Sequence, residues 1–133
     1  KIKKKAKELQ VEKYKVICIK WQEYFTKWIG FKVAATYFPP ERISWKEIFK
    51  LIHIGKEENV ALVVDNLQSG IDFGEKLASE IGAVQVVSIN FPGSVPGTET
   101  YIKMMEYKAD KLFKGLEKYN TAGEKVQSFS KSA

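Results

Sequence analysis

The polar residues that could do chemistry in this chain are few, and most stand where an apolar run ends. Asp65-Asn66 closes one such run and Asn90 closes another; Gln22 and Glu23 follow a third, Thr36 and Tyr37 end a fourth, and Glu41 lies in the loop beyond it. Asp65, Glu23 and Glu41 offer acid–base chemistry. As a set, these residues offer a polar ligand pocket at the ends of strands. Each also has a structural alternative. Asp65 and Asn66 are residue types that cap helices, and Asn90 precedes the turn-forming Phe91-Pro92-Gly93.

Other chemistries are narrowed by composition. The chain has one histidine and one cysteine. A structural zinc site of the usual spacing is therefore excluded, and any Ser/His or Cys/His nucleophilic pair is restricted. His53, within Leu51-Ile52-His53-Ile54, reads as a structural histidine. Cys18, within Val16-Ile17-Cys18-Ile19, reads as a buried and inert thiol. There is no Gly-rich phosphate loop and no Gly-x-Ser-x-Gly elbow. No catalytic residue is assigned, and the chain does not read as an enzyme.

The elements that would position these residues follow from periodicity. Val16–Ile19, Lys32–Tyr37, Val60–Asp65 and Val84–Ile89 are nearly continuous apolar runs, the pattern of parallel strands covered on both faces. Between them lie helical stripes. Trp21, Tyr24, Phe25 and Trp28 share one face of a helix that ends at Gly30, and such an aromatic stripe reads as core. Ser44-Trp45-Lys46-Glu47 is a capping box, followed by Trp45, Ile48, Phe49 and Ile52 on one face. A third helix starts near Asn66 or Ser69 and ends at Gly82, with Ile71, Leu77, Ala78 and Ile81 inward. The last opens near Thr98 and is expected to bury Ile102, Met105, Ala109, Leu112, Phe113 and Leu116. Strands alternating with helices of this size predict an α/β fold, a three-layer, four-stranded parallel sheet with helices on both faces.

Residues 1–13 read as the end of a longer linker helix arriving from outside this sequence, with Leu9 and Val11 among its few apolar residues. Residues 14–120 form the α/β unit, and residues 121–133, polar and rich in Ser and Lys, read as a flexible tail. The length of 133 residues, 44% hydrophobic and 29% charged, suits one globular unit. No apolar run approaches the roughly 18–20 residues of a membrane span. Of the net charge of +6, Lys1, Lys3, Lys4, Lys5 and Lys7 against Glu8 supply +4. Charge so concentrated at one end reads as a solvated helix face, and no nucleic-acid partner is expected.

The order of these segments resembles the carboxy-terminal lobe of the zinc- and manganese-type substrate-binding proteins of ABC transporters. The likeness begins with the incoming helix and with Lys15 to Val33: strand, aromatic helix and a Gly-Phe-Lys-Val turn. It continues through Ile43-Ser44-Trp45-Lys46-Glu47-Ile48, through the third strand at Asn59–Asp65, and through Ala-Ser-Glu-Ile-Gly-Ala at Ala78–Ala83. Thr98-Glu99-Thr100-Tyr101-Ile102-Lys103-Met104-Met105-Glu106-Tyr107 is similar to the family's closing helix, with its Tyr-x-x-Met-Met-x-Tyr-Asn pattern. It spans roughly residues 5 to 119.

The resemblance implies two α/β lobes joined by a long helix, with a metal between them. It also implies an extracytoplasmic location, an ABC permease as partner, and an amino-terminal lobe that this chain does not contain. Membrane association would come only through the permease or an upstream anchor. Zinc or manganese would be the transported ligand. The family's two histidines belong to the first lobe; the second lobe adds a Glu or His after its second strand and an Asp after its fourth. Here Ala34-Ala35-Thr36-Tyr37 offers no such ligand, and Glu41 is the nearest carboxylate. Asn90 occupies the Asp position in Asn90-Phe91-Pro92-Gly93, where it is a weak metal ligand at best. Two further readings remain open from the residues themselves: a cytoplasmic α/β binding or regulatory domain, and a small enzyme using Asp65, Glu23 or Glu41.

Overall fold

The computed structural model describes the backbone of residues 1–132 and the side chains of residues 1–122 apart from residue 40. Four strands, β1 (Lys15–Ile19), β2 (Lys32–Tyr37), β3 (Leu62–Asn66) and β4 (Val84–Ser88), form one sheet in the order β2-β1-β3-β4, every pair parallel. The expected three-layer α/β architecture is the observed one. β1 and β3 are the central strands, and Val16 to Ile19 and Leu62 to Asn66 are all buried. Their unbroken apolar sequence follows from this, since helices cover both faces.

Helices α1 (Ile2–Glu8), α2 (Glu23–Ile29) and α5 (Tyr101–Ser132) lie on one face, where Phe25, Ile29, Leu112, Phe113 and Leu116 pack on Val16, Cys18, Leu62 and Val86. Helices α3 (Trp45–Glu57) and α4 (Asp72–Ile81) cover the other, with Leu51, Leu77 and Ala78 against Ile17, Ile19 and Val63. The chain leaves β1 for one edge, then crosses back over it to β3. That reversal is the switch point at which open α/β sheets hold ligands, at the carboxyl ends of the strands.

Local signals account for the helix ends. Ser44 Oγ accepts the Glu47 N–H at 3.2 Å, the capping bond expected of the box. Gly82 closes α4 with φ 75°, a left-handed conformation that costs glycine little. α5 begins three residues later than expected. Thr98 is buried and bonded to Val95, while Thr100 Oγ1 caps the helix by accepting the Lys103 N–H at 3.1 Å.

Several expectations need correction. The incoming helix stops at Glu8, because Gln10 adopts a left-handed φ of 55° and a short 3-10 turn follows at Val11–Lys13. It also packs more closely than its composition suggested, with Ala6 and Val11 buried in the core beside α2 and α5. The aromatic stripe of the second helical segment is not core: only Phe25 is buried, whereas Trp21 is 51% and Tyr24 84% exposed, and Trp28 is exposed too. Ile71 and Ile102 are exposed, and on α5 Met104 is buried in place of Ile102. Trp45 and Phe49 also face outward. The helix α5 continues to Ser132, and beyond Ala122 the expected tail lies outside the residues whose side chains are described.

Candidate functional site

At the carboxyl edge of the sheet the chain builds two different clusters. The first is closed. Asp65, at the end of β3, is buried and accepts hydrogen bonds from the Tyr37 hydroxyl and from Gln85 Nε2, the latter at 2.8 Å; Gln85 Nε2 also donates to Ile71 O at 2.8 Å. Burial pushes the Asp65 carboxyl above its ordinary range, partly offset by those two donors. Burial together with the neighbouring Asp65 also raises the Tyr37 hydroxyl. The first turn of α4 presses against this carboxylate through Gly74, where a Cβ would fall 1.6 Å from Asp65 Oδ2. Asp65 is thus tied into the core and capped by neighbours on all sides.

Asn66 does what its residue type suggested, as its Oδ1 accepts the Ser69 N–H at 3.1 Å and caps the short turn Leu67–Ser69. Its Nδ2 is buried without a hydrogen-bond partner among the described residues. Glu23 lies at the surface, bridged by Lys20 at 2.7 Å and Lys27 at 3.0 Å, and these bonds hold its carboxyl below the usual range. Thr36 is half-buried in β2, opposite Cys18, while Glu41 and His53 are exposed. Cys18 is fully buried, and desolvation pushes its thiol up to about 12, so the inert thiol expected from its surroundings is what is found.

The second cluster is open. Gln22, buried behind α2, reaches across the switch point and donates from Nε2 to Ile89 O at 3.1 Å and to Asn90 Oδ1 at 2.7 Å. This clamp joins the start of α2 to the end of β4 and fixes the orientation of the Asn90 amide. In front of it runs a groove of about 400 Å3 between α2 and the first turns of α5, lined by Trp21, Tyr24, Trp28, Asn90, Tyr101 and Lys108 with Phe25 and two methionines. The structure therefore joins Gln22 and Asn90 at one place, and Tyr37 and Asp65 at another.

Sequence reasoning missed Lys108. It is only 7% exposed, and its Nζ lies 4.5 Å from the centre of the Phe25 ring. Desolvation alone pushes its ammonium down to about 8. A signal was present: Met104, Lys108 and Leu112 fall at i, i+4 and i+8, so the lysine stands within an apolar stripe. It also stands where the closing-helix pattern ends in Asn.

Residues 1–115 match the model of a protein family described as the zinc-uptake complex component A, periplasmic (ZnuA). The chain belongs to that family. Solved structures with its fold include a cadmium-bound periplasmic metal binding protein from Candidatus Liberibacter asiaticus, at TM-score 0.70 and 17% identity over 86% of this chain and 45% of that one. A manganese-bound periplasmic metal binding protein from the same organism gives a TM-score of 0.68 and 14% identity, over 86% of this chain and 44% of that one. A mutant laminin-binding adhesin from Streptococcus agalactiae gives 0.68 and 16%, over 86% and 46%. This chain spans less than half the length of each. A search of the curated proteins finds no match.

Asn90 is the position at which the resemblance in sequence implied a metal ligand. Here the side chain is a neutral amide whose oxygen is already engaged by Gln22. No carboxylate lines the groove, Lys108 contributes a positive charge, and no three His, Cys, Asp or Glu side chains gather in a metal-holding group among the described residues. These residues do not fit a bare zinc or manganese ion, because nothing in the groove offsets the loss of the ion's hydration.

Proposed function

We propose that this chain is the carboxy-terminal lobe of an extracytoplasmic receptor that captures a solute between two lobes and delivers it to an ABC permease. The observation that carries the reading is the family match over residues 1–115. Cadmium- and manganese-bound neighbours of the same fold support a divalent metal as the cargo of the whole protein. In such a receptor the metal's donors would come mainly from the other lobe. The role of this lobe is to form one wall of the cleft and to present a rigid surface to the partner. No covalent chemistry is assigned to it, and selection rests on cleft shape and donor type.

The test is uptake of radiolabelled zinc and manganese by cells in which the gene is deleted, with and without complementation. Slower uptake at limiting metal, restored by complementation, is expected; unchanged uptake of both metals would overturn the reading. The lobe alone should bind either metal no more tightly than about 10 µM, equivalent to about 7 kcal/mol. Asn90→Ala should leave that value unchanged in calorimetry. Submicromolar stoichiometric binding that disappears in Asn90→Ala would restore a metal site to this lobe.

A further inference from the structure

We propose that the groove between α2 and the start of α5 is a binding site for a small organic anion, a carboxylate carried on a flat ring, whose charged end meets Lys108 and Asn90. The charge argument comes first. Lys108 is more than nine-tenths buried, and among the described residues it forms no salt bridge or hydrogen bond. It lines both this groove and an adjoining recess formed with Trp21, Asn90 and Phe91. An ammonium withdrawn from water needs compensation, and the face of Phe25 at 4.5 Å supplies only part of it. An incoming carboxylate would supply the rest.

The hydrogen-bonding inventory has the same sign. Gln22 occupies the Asn90 oxygen, which leaves Nδ2, a donor, as the free end of that amide. Trp21, Tyr24, Trp28 and Tyr101 add indole N–H and hydroxyl groups, none of them hydrogen-bonded among the described residues. Among the described residues no carboxylate lines the groove, and Lys3 lies over the Trp28 ring at 4.8 Å, adding a second positive charge beside that wall. The two ammonium groups, Lys108 and Lys3, give this wall a positive sign that favours an anion.

The body of the ligand follows from the walls. Trp21, Tyr24 and Tyr101, the last 65% exposed, present aromatic surface to solvent, and the buried side chain of Met104 lies below. Aromatic faces of this kind favour a flat ring by stacking. The volume of about 400 Å3 lies in the range of small-molecule sites. The assignment goes beyond the receptor reading and stands independently of what the whole receptor carries.

The experiment follows tryptophan fluorescence of this chain during titration with benzoate, indole-3-acetate, benzyl alcohol and acetate. Saturable quenching by the ring carboxylates is expected, at least tenfold tighter than by benzyl alcohol or acetate. Lys108→Met should abolish the preference over benzyl alcohol, and Lys108→Arg should retain it. Thermal melts of both variants, cooperative and no lower than the parent's, separate loss of the site from loss of the fold. Equal affinity for benzoate and benzyl alcohol, binding by neither ring carboxylate, or a preference that survives Lys108→Met would overturn the proposal. Displacement of benzoate by manganese chloride would overturn it in favour of a metal site. None of these outcomes depends on the uptake test, so either reading can fail without the other.

Discussion

Gly74→Ala sets helix propensity against tertiary packing, and the two predict opposite signs. Gly74 is buried in the first turn of α4, where alanine is normally favoured by about 1 kcal/mol. A Cβ there would lie 1.6 Å from Asp65 Oδ2 and 2.3 Å from its Cγ. The carboxylate is not a loose end that can swing away, because the Tyr37 hydroxyl and Gln85 Nε2 hold its two oxygens. Moving it breaks at least one hydrogen bond to a charged group, at about 1.5–3 kcal/mol. Residual overpacking adds about 1–3 kcal/mol. After subtracting the propensity gain, a net destabilisation of about 1.5–5 kcal/mol is expected. Urea unfolding followed by helical circular dichroism measures it directly, with the denaturant slope unchanged. In an Asp65→Ala background the obstacle is gone, so the same substitution should be neutral or favourable, a coupling that a double-mutant cycle isolates. Stabilisation by Gly74→Ala in the otherwise unaltered chain, or a change within about 0.5 kcal/mol of zero, would refute the close approach.

Gln22→Leu should cost about 1–3 kcal/mol in the same assay, because it strands the Ile89 carbonyl and the Asn90 amide oxygen; a neutral result would mean that the clamp contributes little. Lys108 is lowered from the ordinary 10.5 to about 8, so between those values the unfolded chain holds a proton that the folded chain has released. Its contribution to stability therefore rises with pH from about 8 to about 10.5, and the melting-temperature advantage of Lys108→Met over the parent should shrink across that window. Cys18 has the opposite sign: raised from 9.0 to about 12, its thiol keeps its proton in the fold, and stability should fall as pH climbs from about 9 towards 12. At neutral pH a thiol reagent should modify Cys18 only after denaturant is added, and rapid labelling of the native chain would contradict its burial.

Much of the fold was legible because its signals are local. Continuous apolar runs identify strands covered on both faces, Ser44 and Gly82 mark helix ends through their own side chain and backbone, and Asn66 caps the turn beside it. The candidate site was legible only in part. Gln22 and Asn90 were read correctly as residues at strand ends, but the bond between them spans sixty-eight positions and has no local signature. Asp65 read either as a helix cap or as a pocket residue, and only its contacts with Tyr37 and Gln85 show it to be enclosed.

The aromatic stripe marks the limit most clearly. Periodicity places Trp21, Tyr24, Phe25 and Trp28 on one helical face, but it carries no information on whether a neighbour covers that face. α5 meets α2 around Phe25 and leaves Trp21, Tyr24 and Trp28 outside. The same docking rotates α5 so that Met104 turns inward, Ile102 outward, and Lys108 sinks beside Phe25. Sequence alone therefore determined the alternation of strands and helices, their caps and the family, because each depends on residues close together in the chain. Tertiary structure decided which aromatic faces stay open and where a lone ammonium is buried, because those depend on how two helices distant in sequence meet on one sheet.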